Sequence, residues 1–329
     1  MKKKQIIQSI CTILIIIIAL LSVSSLLKVK DSDVEYATFY KYGADIDVLF
    51  YGSSIVHYGI YPMELWNEYG ITSYNMGNNS ERLYMTYYTM KNSLDYANPE
   101  TVVVDLSGLG WAGQRIDGTL KDHGFLDSVP LSWDKLKSIY EIFDENNRLE
   151  YIFPSVVYHS RWEELNKSDL KVKKSYTYGA DILTNKMQLK KPGQERYDES
   201  RDGNFDLEEE ALLKMKQLCE NRNIQFILIF MPFEVRGGDQ KLREYAQGFA
   251  KKNDIMYFDL QDCDVVNWES GFSDESHMNY EGAKPFTKYL GKLLKDEVKL
   301  GNHQGELGYE NWNTDYIEYQ EYCHQLGVE

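Results

Sequence analysis

The sequence predicts an α/β fold: a three-layer α/β/α sandwich around a mostly parallel sheet, carried on one N-terminal transmembrane helix. Three observations lead there. Short apolar runs at 47–51, 73–76, 101–106, 225–230 and 255–260 alternate with helical stretches, the signature of parallel strands joined by helical crossovers. Several of these runs stop abruptly at Gly, Ser, Asp or Asn, as strands do where they turn into a helix. The first thirty residues form an almost unbroken apolar segment behind a cluster of lysines.

That segment comes first in the chain. Lys2, Lys3 and Lys4 precede an apolar run from Ile6 to Leu27. At about 1.5 Å per residue the run crosses a hydrocarbon layer of about 30 Å. The lysines should stay in the cytoplasm, making this a single-pass protein of the cell membrane with everything after about Lys28 extracellular. A cleaved signal peptide is the rival reading, since Ser22-Val23-Ser24 supplies small residues, but the length of the run favours a retained anchor. The organisation expected is an anchor over 1–28, a connector over 29–44, a main domain over 45–299 with a cap-like insertion at about 111–204, and a tail over 300–329 that is partly ordered. Helices are expected over 62–69, where Pro62 opens and Gly70 stops, then over 80–96, 206–221, 239–252 and 280–298. Inside the insertion the pattern weakens, leaving helical stretches only over 133–143 and 154–165.

Composition narrows the functions. The chain has 329 residues, with 36 Lys+Arg against 51 Asp+Glu, for a net charge of -15. Nucleic-acid binding is driven by cations neutralising phosphates, so that class is excluded. The 26 tyrosines and 6 tryptophans would suit a carbohydrate-facing surface, although half-buried packing accounts for most such residues. Cys11 lies in the apolar segment, which leaves Cys219, Cys263 and Cys323, with no CxxC spacing and room for one bridge. No metal, nucleotide or other cofactor motif is present.

In an open parallel sheet, functional groups gather beyond the carboxyl ends of the strands. Three segments there carry chemistry. Gly52-Ser53-Ser54 sits where the first strand turns into a helix, and the helix N-terminus offers free N–H groups beside Ser54. An alcohol needs a base as well, and Asp274-Glu275-Ser276-His277 supplies one. With two residues between them, Asp274 can curl back to orient His277 as it takes the serine proton. In Asn75-Met76-Gly77-Asn78-Asn79, the Gly77 N–H and an amide side chain, Asn79 foremost, could join the Ser54 N–H in holding an oxyanion. His57, one helical turn after Ser54, and Trp111 and Arg115 at the start of the insertion are candidate substrate contacts.

Gly52-Ser53-Ser54-Ile55-Val56-His57-Tyr58-Gly59 resembles the first block of the SGNH/GDSL hydrolases, with Ser53 in place of the usual aspartate. The resemblance covers about 45–110 and 225–295. It places Ser54 on the nucleophile, Gly77 on the second-block oxyanion glycine and Asp274-x-x-His277 on the acid and base, and it implies a flavodoxin-like sheet. The Gly-Ser-Ser form behind an anchor is similar to the D-alanyl-transfer proteins of teichoic acid operons. That similarity implies a serine esterase or O-acyltransferase acting on a cell-surface glycan or teichoic-acid-like polymer. For a transferase, it also implies a membrane-bound O-acyltransferase as partner. One departure stands out. The third block normally carries an oxyanion asparagine, and here the segment reads Asp105-Leu106-Ser107-Gly108-Leu109, so Asn78, Asn79 or Ser107 would have to substitute. The departure leaves open an inactive glycan-binding or assembly module on the same fold.

Overall fold

A computed structural model describes residues 2–28, 34–43, 46–112, 123, 126–170, 174–191, 205–233 and 239–328. The strands β1 (Val48–Tyr51), β2 (Ser73–Asn75), β3 (Thr101–Asp105), β4 (Gln225–Phe230) and β5 (Met256–Asp259) form one sheet in the order β2-β1-β3-β4-β5. All four pairings are parallel, with Phe50 opposite Asn75 and Tyr51 opposite Val104. β1 and β3 are buried along their whole lengths because helices cover both faces, which is why they read as continuous apolar runs rather than alternating ones. Strand order reverses between β1 and β3, and in this topology the crevice at that switch point is where ligands bind.

The connections build the outer layers. From β1 the chain passes through α3 (Ser54–Gly59) and α4 (Pro62–Tyr69) to β2, and α5 (Leu83–Ser93) leads to β3. α10 (Tyr280–Val298) packs on α3 and α4 to form one layer. α5 packs against α8 (Asp206–Asn221) in the other, with α6 (Trp133–Ile142) and α7 (Arg148–Ile152) beside it, and α9 (Asp239–Lys252) packs on β5. Glu64 of α4, almost fully buried, faces Lys284 and Lys288 of α10 at 3.7 and 3.9 Å, an ionic tie within the first layer. α1 (Lys2–Leu27) is exposed and apolar over most of its length; its most apolar stretch reaches a mean hydropathy of 2.9, and the span Lys3–Leu27 is long enough to cross a membrane. α2 (Val34–Tyr42) follows it and lays Phe39 edge-on against Tyr74 of β2 at 5.1 Å.

Three expectations need correction. Residues 154–165 form no α-helix but two 3-10 turns, Pro154–Val156 and His159–Glu163. Tertiary contacts to α1 hold them: Ser155 meets the Ser24 hydroxyl, and Arg161 donates to the carbonyls of Leu27 and Lys28. The tail is built into the domain as α11 (Glu310–Gln325), which buries Trp312, Tyr319 and Cys323. Ahead of it His303 bridges Asp47 below β1 and Glu306, at 3.1 and 2.7 Å. The cysteines are all free, and Cys219 and Cys323 are buried in α8 and α11.

Candidate active site

The backbone places Ser54 before any side chain acts. Gly52 at the end of β1 has φ +157°, and a Cβ there would come within 2.6 Å of Val56 and 3.2 Å of Asp105 Cβ, so only glycine allows the turn. Ser53 takes the N-cap position of α3, and its Oγ accepts the Ile55 N–H at 3.4 Å. Ser54 is then the first residue of the helix. Among the described residues, no partner takes the Ser54 N–H.

The three residues expected to share one site do meet. Ser54 Oγ lies 2.7 Å from His277 Nε2, and His277 Nδ1 lies 2.8 Å from Asp274 Oδ2. The other oxygen of Asp274 accepts the backbone N–H groups of Ser276 and His277, at 2.8 and 3.0 Å, which fixes the carboxylate's orientation. Partial burial works to raise the Asp274 pKa, but the bonds from His277 and the Ser276 N–H outweigh it and hold the carboxyl below its ordinary value. An ionised Asp274 can only accept, so Nδ1 carries the imidazole proton and Nε2 is left to receive the one from Ser54. Tyr58 stands edge-on to the His277 ring at 5.2 Å. The side chains of Asp274 and His277 are 50% and 24% exposed, so the site opens at the surface.

The expected oxyanion donors fare differently. The Gly77 N–H donates to Asn75 Oδ1 at 2.8 Å and is turned inward, a correction to the expectation that it faces the site. Glycine is still required at 77, because a Cβ would sit 2.5 Å from the backbone nitrogen of His57. The Ser107 hydroxyl is also spent, donating to Asp105, whose second oxygen accepts the Met231 N–H at 3.0 Å. Asp105 thereby ties the ends of β3 and β4 together. Burial pushes its carboxyl up to about 6 against those bonds. Asn78 donates its N–H to Gly52 O at 3.0 Å, which brings the 77–79 turn beside the serine, and Asn79 is exposed on that turn. His57 is buried; desolvation lowers its pKa against the pull of Asp181, so it is neutral at pH 7. Arg115 lies outside the described residues, as does the side chain of Trp111.

Two features are ones that sequence reasoning missed. Buried Asn75 donates to the carbonyls of Val56 and Ile60 at 2.7 and 2.8 Å while accepting from Gly77, joining the nucleophile helix to the adjacent turn. Its position at the end of β2 was the available signal. The second is a strap, 174–191, at the end of the insertion. Tyr178 O accepts the Asn75 N–H, the Asp181 N–H donates to His57 O, and Met187 pairs with Phe272 just before Asp274. α11 braces this strap: Trp312 stacks on Tyr178 at 4.3 Å, and Asp315 accepts from Tyr178 and Lys174.

Glu81 follows the same turn, buried, and among the described residues no cation pairs with it. Its carboxyl is bonded by Thr89 at 3.2 Å. Desolvation raises its pKa from 4.5 to about 8, against bonds from Thr86, Thr89 and Asn78. The folded chain therefore keeps a proton that the unfolded chain releases above 4.5, so stability falls as pH rises from about 4.5 to about 8. Glu81→Gln should raise the melting temperature at pH 8.5, with the gain shrinking towards pH 5. Calorimetry across that range checks it, and a constant difference would refute the assignment.

No family model and no curated protein matches the chain. Among solved structures it is similar to a candidate acylhydrolase from Bacteroides fragilis NCTC 9343, at 12% identity and a TM-score of 0.41 over 80% of this chain and 95% of that one. It is also similar to a candidate lipolytic protein of the G-D-S-L family from Desulfitobacterium hafniense DCB-2, at 14% identity and 0.40 over 75% and 99%. A GDSL-like lipase from Bacteroides thetaiotaomicron VPI-5482 aligns at 12% identity and 0.38 over 80% and 98%. At these identities and scores the likenesses speak to neither substrate nor acceptor.

Proposed function

We propose that this protein is a membrane-anchored, extracytoplasmic serine esterase or O-acyltransferase that works through an acyl-Ser54 intermediate. The carrying observation is the unbroken line from Ser54 Oγ through His277 to Asp274, at 2.7 and 2.8 Å. Ser54 Oγ attacks the ester carbonyl carbon and its proton passes to His277 Nε2. As the tetrahedral intermediate collapses, His277 returns that proton to the departing alkoxide. Water or an acceptor hydroxyl then gives its proton to His277 and attacks the acyl-serine; as the acyl–Oγ bond breaks, His277 returns that proton to Ser54 Oγ and the serine is regenerated. Asp274 stabilises the imidazolium in both halves. The Ser54 N–H and the Asn79 side chain meet the oxyanion. Losing one such donor typically costs about 10²–10³ in rate, which suits slow transfer better than fast hydrolysis.

The substrate favoured is an ester-linked acyl group on a cell-surface glycan or teichoic-acid-like polymer. An open site with half-exposed Asp274 admits a chain passing across it, and the anchor keeps the domain near the envelope. A transferase of this kind would receive its acyl group from a membrane-bound O-acyltransferase.

The test is labelling of the full-length protein in vesicles with a fluorophosphonate probe, beside Ser54→Ala, followed by acyl release with and without a glycan acceptor. Labelling lost in Ser54→Ala supports the nucleophile, and release accelerated by the acceptor marks a transferase. Equal labelling of the two proteins would overturn the assignment. A parent that is inert even with its membrane partner, yet binds glycan, would favour the binding-module reading.

A further inference from the structure

We infer that the insertion between β3 and α8 seats on the bilayer surface, using Val156 and Trp162 as a collar around the outer end of α1, with the lipid interface as its partner. The inference rests on the reading of α1 as a retained membrane span. α1 does not rise freely out of the membrane. Its last two turns are gripped by the insertion: Ser24 Oγ meets Ser155 Oγ at 2.8 Å, Arg161 donates to Leu27 O and Lys28 O at 2.7 and 2.6 Å, and Lys28 Nζ donates to Asp127 O at 2.9 Å. Arg161 is itself held by Asp169 at 2.9 Å, so the clasp is satisfied within the protein.

The height of the clasp follows from helix geometry. A layer of about 30 Å takes about 20 residues of α-helix. Counted from Ile6, the first apolar residue past the lysines, that length ends close to Ser24 and Ser25. The bond between Ser24 and Ser155 therefore lies at the hydrocarbon boundary. The residues next to it in the two 3-10 turns leave apolar side chains outside the protein: Val156 is 56% exposed and Trp162 66%. In water such exposure is unfavourable, whereas at the boundary valine can enter the acyl region and tryptophan prefers the headgroup level.

The same geometry orients the candidate active site. The chain enters the domain at the carboxyl end of the sheet, where Tyr36 of α2 donates to Met76 O at 2.9 Å and Gly77 O at 3.3 Å. The opposite end of the sheet is closed by His303 against Asp47. Ser54 thus lies on the bilayer-facing side, so the acyl donor is one presented at the membrane surface, lipid-linked or carried by a membrane protein, rather than a freely diffusing ester.

α1 contains no tryptophan, so any quenching of tryptophan by brominated lipid must arise in the domain. The experiment reconstitutes the full-length protein into phosphatidylcholine vesicles, with and without bromine on the acyl carbons nearest the headgroup. It compares the parent with Trp162→Phe and with Leu307→Trp, the latter on an exposed loop (93%) at the far end of the sheet. The expected result is bromine quenching of the parent, loss of most of it in Trp162→Phe, and unquenched emission from the tryptophan added at 307. Equal quenching in parent and Trp162→Phe would overturn the collar, as would none in a parent that floats with the vesicles; the latter would point to a protein partner on this face. Failure to float would instead remove the membrane-span reading, and the collar with it.

Discussion

His277→Ala should lower turnover of an activated ester such as p-nitrophenyl acetate by about 10⁴-fold or more, while leaving the melting temperature close to that of the parent. The size follows from His277 being the only base within hydrogen-bond reach of Ser54 Oγ among the described residues, at 2.7 Å. The stability should hold because the imidazole is partly exposed and its bonds to Asp274 and Ser54 can be replaced by water. Asp274→Asn should cost less, on the order of 10²-fold, since a half-exposed carboxylate is partly screened by solvent before it is neutralised. Its effect should fall on turnover rather than on KM, because it acts by orienting His277 and stabilising its charged form. Steady-state kinetics with a thermal melt for each variant decide the matter. Turnover in His277→Ala near the parent level would remove His277 from the mechanism.

Asn75→Ala should damage both stability and turnover, although Asn75 never reaches the substrate. Its amide satisfies Ile60 O, shares Val56 O with the Ile60 N–H, and accepts the Gly77 N–H. Alanine leaves one carbonyl and one N–H buried without partners, at about 1–3 kcal/mol each, so a loss of about 2–6 kcal/mol is expected. Turnover well below the melt should fall as well, since α3 carries Ser54 and a shift of about 1 Å at a reacting group costs about 10²-fold. Asn75→Asp should be no better, because its second oxygen would face two carbonyls. A melt and a rate both matching the parent would show that neighbouring backbone takes over these bonds.

Both predictions bear on what could be read before the fold was known. The strands were legible because β1 and β3 are buried on both faces, and that burial demands continuous runs such as 47–51 and 101–106. Ser54, Asp274 and His277 were legible because each obeys a local rule. A serine after Gly52 at a strand end must begin a helix, and a carboxylate three residues before a histidine can reach its ring within one loop. The long apolar helix α1 was legible from length and hydropathy alone.

What stayed hidden depends on residues far apart in sequence. Whether the Gly77 N–H faces outward was decided by Asn75, whose amide is held by carbonyls of α3. The Ser107 hydroxyl is unavailable because Asp105, tied to Met231, takes it. The tail acquires structure because Trp312 finds Tyr178, and α11 then braces a strap that no periodicity announced. The turns at 154–165 are shaped by α1, over a hundred residues earlier. Period and spacing thus determined the elements, the apolar helix α1 and the Ser54–His277–Asp274 line, whereas only the packed chain settled which polar groups remain free, because each buried donor or acceptor must find a partner wherever the fold supplies one.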